Sequence, residues 1–315
     1  MKRWIAVLTA FALLLSLAAV SAGCQKKSGK SSSQSASKST PSFVYTPASA
    51  LVIGIDPTFA PMGFKSGGDY TGFDVDCARE VAKRLGMSLQ VKEIKWADKD
   101  AVLNSGAVNC IWNGYSASIP RNDAFTLSQG YMIGYQVAVV KKDSKIVTFA
   151  GLKGKKVAVA AGSSALEILN KNTKLKKTFA KLDTFTDCND AVSKVESGGY
   201  DAIFIDQVFA DYAIKNGKDL KILSAVLAKE KYVIAFQKGN STLRNMIQNQ
   251  MQAMKNDGTL AQISTKWFGS DVTLNPNGTT VTSAPPSGKK TSSQPASGGK
   301  TGGATASSKV SSAKK

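Results

Sequence analysis

Between Leu51 and Phe268, short apolar runs alternate with amphipathic stretches of helical period, and this alternation limits the fold more than any other feature of the chain. Leu51-Val52-Ile53-Gly54-Ile55 reads as a strand. Residues 73–85 read as a helix, with Phe73, Cys77, Val81 and Leu85 at four-residue spacing and charges elsewhere. Residues 89–94 make a second strand, 97–103 a helix and 108–112 a third strand. The rhythm then repeats. Strands are expected at 135–141 and 156–160, and Gly162-Ser163-Ser164 opens a helix with one of the two serines as its N-cap. A helix at 190–196, a strand at 202–205, a helix at 207–214 and a return strand at 232–236 follow. Residues 242–254 place Leu243, Met246, Ile247, Met251 and Met254 on one helical face, and 260–268 form a last helix. Such alternation builds α/β layers with largely parallel pairing. Two similar halves and a closing helical segment predict two lobes sharing one cleft.

The ends of the chain are different. Lys2 and Arg3 precede an apolar run from Trp4 to Val20, too short for a comfortable membrane span, and Ser21-Ala22-Gly23-Cys24 follows. This is a secretory signal over residues 1–23. Its small-small-Cys ending resembles a bacterial lipobox, in which Cys24 becomes the lipidated first residue of the mature protein. Ser21 stands where leucine is usual, and ordinary cleavage after Ala22 is the alternative. Residues 24–48 are rich in Ser, Lys and Gln and read as a flexible tether. Residues 271–315 are rich in Thr, Ser, Gly, Pro and Lys and read as a disordered tail. Their lysines suit anionic wall polymer or lipid headgroups as well as plain solvent.

Charge must be divided accordingly. The formal net charge is +19, but residues 1–49 hold six Lys/Arg and no acid, and residues 271–315 hold six Lys and one Asp. The middle, 50–270, has 29 basic and 21 acidic residues, a mixed surface without a basic stripe interleaved with aromatics, so nucleic acid is a poor partner. There is no histidine, and Cys77, Cys110 and Cys188 match no metal or redox spacing. No cofactor or metal is therefore expected. The cysteines sit in apolar patterns, and the sequence does not choose a disulfide among them.

The run Asn113-Gly114-Tyr115-Ser116-Ala117-Ser118-Ile119-Pro120-Arg121 follows a buried strand directly. Small and hydroxylated residues at a strand end, with an arginine just beyond, suit a carboxylate, because a guanidinium can grip both oxygens through parallel hydrogen bonds. Taken alone, the same run is also a turn with a solvated arginine.

Several ordered motifs resolve the choice. Gly72-Phe73-Asp74-Val75-Asp76-Cys77-Ala78-Arg79-Glu80-Val81-Ala82, the opening Ile53-Gly54-Ile55-Asp56-Pro57-Thr58-Phe59-Ala60-Pro61-Met62, the stretch Leu152 to Val159 with Gly162-Ser163-Ser164, the strand Tyr200 to Asp206, and Asp257-Gly258-Thr259-Leu260 with Trp267-Phe268-Gly269 together resemble the solute-binding proteins of polar amino-acid ABC transporters, family 3 of the bacterial extracellular solute-binding proteins. The resemblance covers about residues 51–269. It implies a type II-like periplasmic-binding-protein fold, two α/β lobes joined by two hinge strands near Ile133-Gly134 and Lys231-Tyr232. Lobe I would be 49–132 plus 230–270 and lobe II 133–229. It also implies roles. Arg121 would clamp the α-carboxylate of a polar amino acid (Arg/Lys, Gln or cystine), assisted by Ser116 and by Ser164 at a helix N-terminus. Asp206 would accept from the α-ammonium, with the Gly114 carbonyl and Ser116 hydroxyl as further partners. Phe59 and Trp96 would sandwich the side chain, and Asp56 and Asn113 would face its far end. Each has a plainer reading: Phe59 and Trp96 as core aromatics, Asp56 as a loop cap, Asp206 and Ser164 as helix caps. Asn109, Ile119-Pro120-Arg121, Gln129-Gly130 and Ala165 depart from the family pattern in the loops.

The function implied is that of a monomeric, membrane-anchored capture protein outside the cell, working with an ABC permease and not as an enzyme. The rivals are an amino-acid sensor, a dehydratase-like enzyme on the same scaffold, and a wall-binding surface lipoprotein driven by its basic tails.

Overall fold

The computed structural model describes residues 50–275. The expected signal segment, Cys24, the tether and residues 276–315 lie outside the described residues. In chain order the strands are β1 (Ala50–Ile55), β2 (Thr58–Phe59), β3 (Gly63–Ser66), β4 (Asp69–Thr71), β5 (Ser88–Glu93), β6 (Cys110–Ser116), β7 (Thr126–Leu127), β8 (Met132–Lys141), β9 (Lys156–Ala160), β10 (Lys181–Phe185), β11 (Ala202–Asp206) and β12 (Leu220–Phe236). The α-helices are α1 (Phe73–Arg84), α2 (Lys99–Asn104), α3 (Ile119–Ala124), α4 (Ser164–Lys171), α5 (Thr173–Lys176), α6 (Cys188–Glu196), α7 (Gln207–Lys215), α8 (Ser241–Asn256) and α9 (Thr259–Phe268).

One sheet runs through the molecule in the order β10-β9-β11-β8-β12-β6-β1-β5, and β2-β3-β4 form a small separate sheet. The long sheet contains the same motif twice. β1 lies between β5 and β6 with all three parallel, and β9 lies between β10 and β11 with all three parallel. Each triplet is flanked by an antiparallel strand, β12 beside β6 and β8 beside β11. β8 and β12 pair with each other, with Gly134 opposite Glu230 and Ile133 opposite Lys231. They join the two α/β lobes.

Sequence and packing agree in the parallel triplets. Leu51, Ile53 and Ile55 of β1 have no exposed surface, nor do Val157, Ala158 and Val159 of β9. Strands covered by helices on both faces carry such unbroken apolar runs. In α1, Phe73, Cys77, Ala78 and Val81 face the core, while Arg79 and Lys83 do not. Cys77, Cys110 and Cys188 are buried free thiols.

Three boundaries differ from expectation. β6 does not stop at Trp112 but continues to Ser116 with every residue buried, because β12 pairs along it, Tyr232 with Ser116 and Val233 with Tyr115. β12 is 17 residues long where only its last five are apolar enough to announce a strand. Its first part hydrogen-bonds along β8 with register shifts and exposes much of its length, so no clean alternation marks it. Finally, Asp271 does not begin a loose tail. It pairs with Lys255 at 2.8 Å, Thr273 bridges to Met132, and Leu274 is buried.

Candidate ligand cleft between the lobes

The carboxyl ends of β1, β6, β9 and β11 converge on one narrow cavity of about 30 Å³. Open α/β sheets place ligands at the carboxyl ends of parallel strands. Asp56, Phe59, Trp96, Asn113, Gly114, Ser116, Arg121, Ser164 and Asp206 all border this cavity. So do Gln136, Ser163, Thr186 and Cys188, to none of which the sequence assigns a ligand role.

The lobe I wall is held from behind. Gly114 has φ 59°, and a methyl group there would stand 2.8 Å from Phe59 Cε1. Its N–H donates to Asp74 Oδ2 at 2.7 Å, and the Tyr131 hydroxyl donates to the same oxygen at 2.9 Å. Asp74 is fully buried, and burial outweighs these hydrogen bonds to push its pKa up to about 7. This acid of the Phe73-Asp74-Val75-Asp76 motif therefore shapes the cleft strand from outside the cavity. Asn113 is held in place as well. Its Oδ1 accepts the Asp56 N–H at 2.9 Å and its Nδ2 donates to the Gly63 carbonyl at 3.3 Å. These bonds tie β6 to the loop after β1 and to β3, so Asn113 borders the cavity as a brace and keeps one amide N–H and one Oδ1 lone pair for further hydrogen bonds. Asp56 Oδ1 accepts from the Thr58 N–H and hydroxyl, as a loop cap does, and burial raises its pKa. Phe59 stacks on Phe209 of lobe II at 6.3 Å, and Trp96 packs edge-on to Tyr115 at 6.1 Å. Each thus gives one flank to a protein aromatic while bordering the cavity.

Arg121 is 4% exposed and lies 4.8 Å over the Tyr115 ring. One Nη donates to the Ser116 carbonyl at 2.8 Å; the other donates across the cleft to Glu167 Oε1 at 2.7 Å and to the Gly162 carbonyl at 3.3 Å. The expected two-oxygen grip is therefore partly taken by a protein carboxylate. Nε is buried and has no partner among the described residues. Lys99, which belongs to no sequence motif of the site, is 3% exposed and also donates to the Gly162 carbonyl, at 2.9 Å. Burial and the nearby Arg121 charge lower its pKa. Gly162 has φ 71°, and a methyl group there would lie 2.9 Å from the Ala97 Cα of the opposite lobe. Two cations of lobe I thus converge on one lobe II carbonyl at a point where only glycine fits, and the cleft is closed.

On the lobe II side, Ser163 is the N-cap of α4, accepting from the Leu166 N–H, which leaves Ser164 in the first turn. The first N–H groups of a helix have no intrahelical acceptor and favour an anion. Asp206 precedes α7 but makes no capping hydrogen bond. Its Oδ1 instead accepts from the Tyr232 hydroxyl and from Gln136 Nε2, each at 2.7 Å. Burial first, and the charge of Glu230 second, push its pKa up to about 7. Ser116 accepts from Arg121 through its carbonyl, while its hydroxyl proton goes to Glu230 Oε2 at 2.7 Å.

Among the described residues, no group of three His, Cys, Asp or Glu side chains is placed to hold a metal, and no helix is long and apolar enough to cross a membrane. Two parallel α/β units, closed over one cavity and joined by paired crossing strands, define a two-lobed solute-binding protein. The chain belongs to the bacterial extracellular solute-binding proteins, family 3, matched over residues 51–270. It is 32% identical over 227 residues to the L-cystine-binding protein TcyJ of Escherichia coli K12, covering 71% of this chain and 84% of that one. A substrate-binding protein of an ABC uptake transporter from Streptococcus pneumoniae, solved with bound histidine, superposes with TM-score 0.69 at 34% identity, covering 71% of this chain and 94% of that one. An ancestral amino-acid-binding protein, a precursor of cyclohexadienyl dehydratase, superposes with TM-score 0.65 at 31% identity, covering 70% and 96%.

Proposed function

We propose that the chain is the capture component of an ABC importer and binds a polar L-amino acid between its lobes. The observation that carries this reading is a pair of buried, unpaired polar atoms on two residues that border one cavity. Arg121 Nε can only donate, Gln136 Oε1 can only accept, and neither has a partner among the described residues. A zwitterion supplies the complement, with a carboxylate for Arg121 and the α4 N-terminus and an ammonium for Asp206 and its neighbours. Asp56, Phe59 and Trp96 border the space left for the side chain. The lobes turn about β8 and β12 near Ile133-Gly134 and Lys231-Tyr232. Ligand held on lobe I recruits the Ser164 and Asp206 segments of lobe II, so it favours the closed form through contacts that the open form lacks. A membrane permease then receives the closed protein.

The ligand class is Arg or Lys, Gln, or cystine. Relatives and neighbours of different specificity share this scaffold, and Asp56 suits either a cation or an amide. Lipidation at Cys24 would anchor the protein to the outer face of the membrane, with residues 24–48 as its tether. A thermal-shift screen against the twenty amino acids, followed by calorimetry, tests the reading, since a ligand of the folded state alone raises its midpoint. No binding at millimolar concentration would overturn it. The likeness to a dehydratase precursor motivates a second reading, an enzyme on this scaffold. Mass spectrometry of the ligand after incubation separates the two, because a binding protein returns it unchanged.

A further inference from the structure

Glu230 lies where the two lobes are joined, opposite Gly134 in the paired crossing strands. Its Oε2 collects two protons from the cavity wall. One is the hydroxyl proton of Ser116 at 2.7 Å, and the other is an amide proton of Gln136 at 3.2 Å. The second amide proton of Gln136 goes to Asp206 Oδ1 at 2.7 Å. Both donors of the amide are thereby taken by carboxylates, and turning it over would set Oε1 against two negative charges. The amide is locked with its nitrogen toward the acids. Ser116 is locked as well: a hydroxyl has one proton, and once that is given to Glu230 its oxygen can only accept.

We infer that Glu230 is a positioning residue that fixes the polarity of the cleft, and with it the direction in which an amino acid enters. By drawing off the protons of Ser116 and Gln136 it leaves one wall, from Ser116 through Gln136 to Asp206, with acceptors alone. The opposite wall holds the unpaired Arg121 N–H and the first turn of α4. An ammonium is accepted on the first wall, and a carboxylate is refused there. The inference rests on the reading of the cavity as an amino-acid site, and it assigns to Glu230 and Gln136 a part that the motifs of the sequence did not announce.

Glu230 also acts on Asp206 through space. Asp206 is faced by Glu230 and Tyr232 from β12, by Gln136 from β8 and by the Cys188 thiol from α6. Glu230 is the charged group that raises its proton affinity. A protonated Asp206 accepts an ammonium poorly, so affinity should weaken as pH falls through about 7, the value to which Asp206 is pushed. Removing the Glu230 charge should move that midpoint toward acid.

The test uses the full chain, its Glu230→Gln, Glu230→Asp and Gln136→Met variants, an amino acid that the wild type binds, and the same molecule without its amino group. Calorimetry from pH 5 to 8 gives the midpoint and the preference for the amino acid over the deaminated acid. The inference predicts that Glu230→Gln binds about tenfold more weakly at pH 8, the scale of a charged hydrogen-bond network. It also predicts a more acid midpoint and a smaller preference. Glu230→Asp should restore part of both, and Gln136→Met should lower the preference with less effect on the midpoint. A merely structural Glu230 would lower affinity for both molecules alike and leave the midpoint in place, which would overturn the inference. Carbon-13 NMR of the Asp206 carboxyl in the free protein reads the same coupling without ligand. If the wild type binds no amino acid, the functional reading fails. An unchanged Asp206 titration in Glu230→Gln defeats the role given to Glu230 by itself.

Discussion

The two lobes carry the same parallel β-triplet, but they prepare their share of the cleft differently. In lobe I the cavity wall is held by side chains behind it: Asp74 takes the Gly114 N–H, and Asn113 ties β6 to the β1 loop. In lobe II the wall is mainly backbone, the Gly162 turn and the first turn of α4, with the Asp206 carboxylate steered by residues of the crossing strands β8 and β12. Lobe I is thus the preformed wall, and lobe II meets it through contacts that include the Gly162 carbonyl, the Glu167 carboxylate, the Cys188 N–H and the aromatic contacts Phe59–Phe209 and Phe64–Tyr212. Preorganisation on one side lowers the ordering cost of binding, while contacts confined to the closed form supply the bias toward closure.

This contrast can be broken by mutation, beginning with the largest effect. Arg121→Ala should reduce amino-acid affinity by about a hundredfold to a thousandfold, because truncating one member of a buried, hydrogen-bonded charge pair costs about 2–5 kcal/mol. Calorimetry reads this directly. Asp74→Ala should act on stability. It leaves the Gly114 N–H and the Tyr131 hydroxyl unpaired in the core, at about 1–3 kcal/mol each, so Tm should fall by several degrees in a melt without ligand. Gly162→Ala should act more on affinity, lower by about tenfold or more since overpacking at a contact costs about 1–3 kcal/mol, with a smaller fall in Tm from an alanine strained at φ 71°. Small-angle scattering with ligand should find that variant more open than the wild type.

The smallest effect is a pH dependence of the unliganded protein. Asp74 and Asp206 are raised to about 7 from the 3.8 expected of the unfolded chain. Between those values the native state holds more protons than the unfolded state. Their contribution is therefore fully present below about pH 4 and is lost as pH rises through about 7. Asp257, lowered to about 2 chiefly by its hydrogen bond with Arg84, works the other way once pH drops below 4. Unliganded Tm should thus be highest near pH 4 to 5 and decline toward neutrality, and Asp206→Asn should flatten part of the decline.

The parallel triplets were legible because buried strands and one-sided helices write their burial into composition. Leu51 to Ile55 and the Leu243, Ile247, Met251, Met254 face needed no tertiary information. The first half of β12 was not legible, because it is held by pairing with β8 and leaves few apolar positions to show it. The same holds for the site. Residues matched through family motifs do gather around one cavity, whereas Gln136, Glu230 and Lys99 take part through contacts 94, 114 and 63 residues away in sequence. Asn113 illustrates the converse. This polar residue beside the cavity is also a brace, and only its partners Asp56 and Gly63 reveal that.

The central claim is that the cavity recognises both ends of a zwitterion, the carboxylate near Arg121 and the ammonium near Asp206. Calorimetric titration at pH 8 with one bound amino acid, its decarboxylated amine and its deaminated acid tests it most directly. The account predicts tight binding of the amino acid and a loss of about a hundredfold or more for each truncated molecule, because each leaves a buried charged group without its partner. Comparable affinity for either truncated molecule would contradict it.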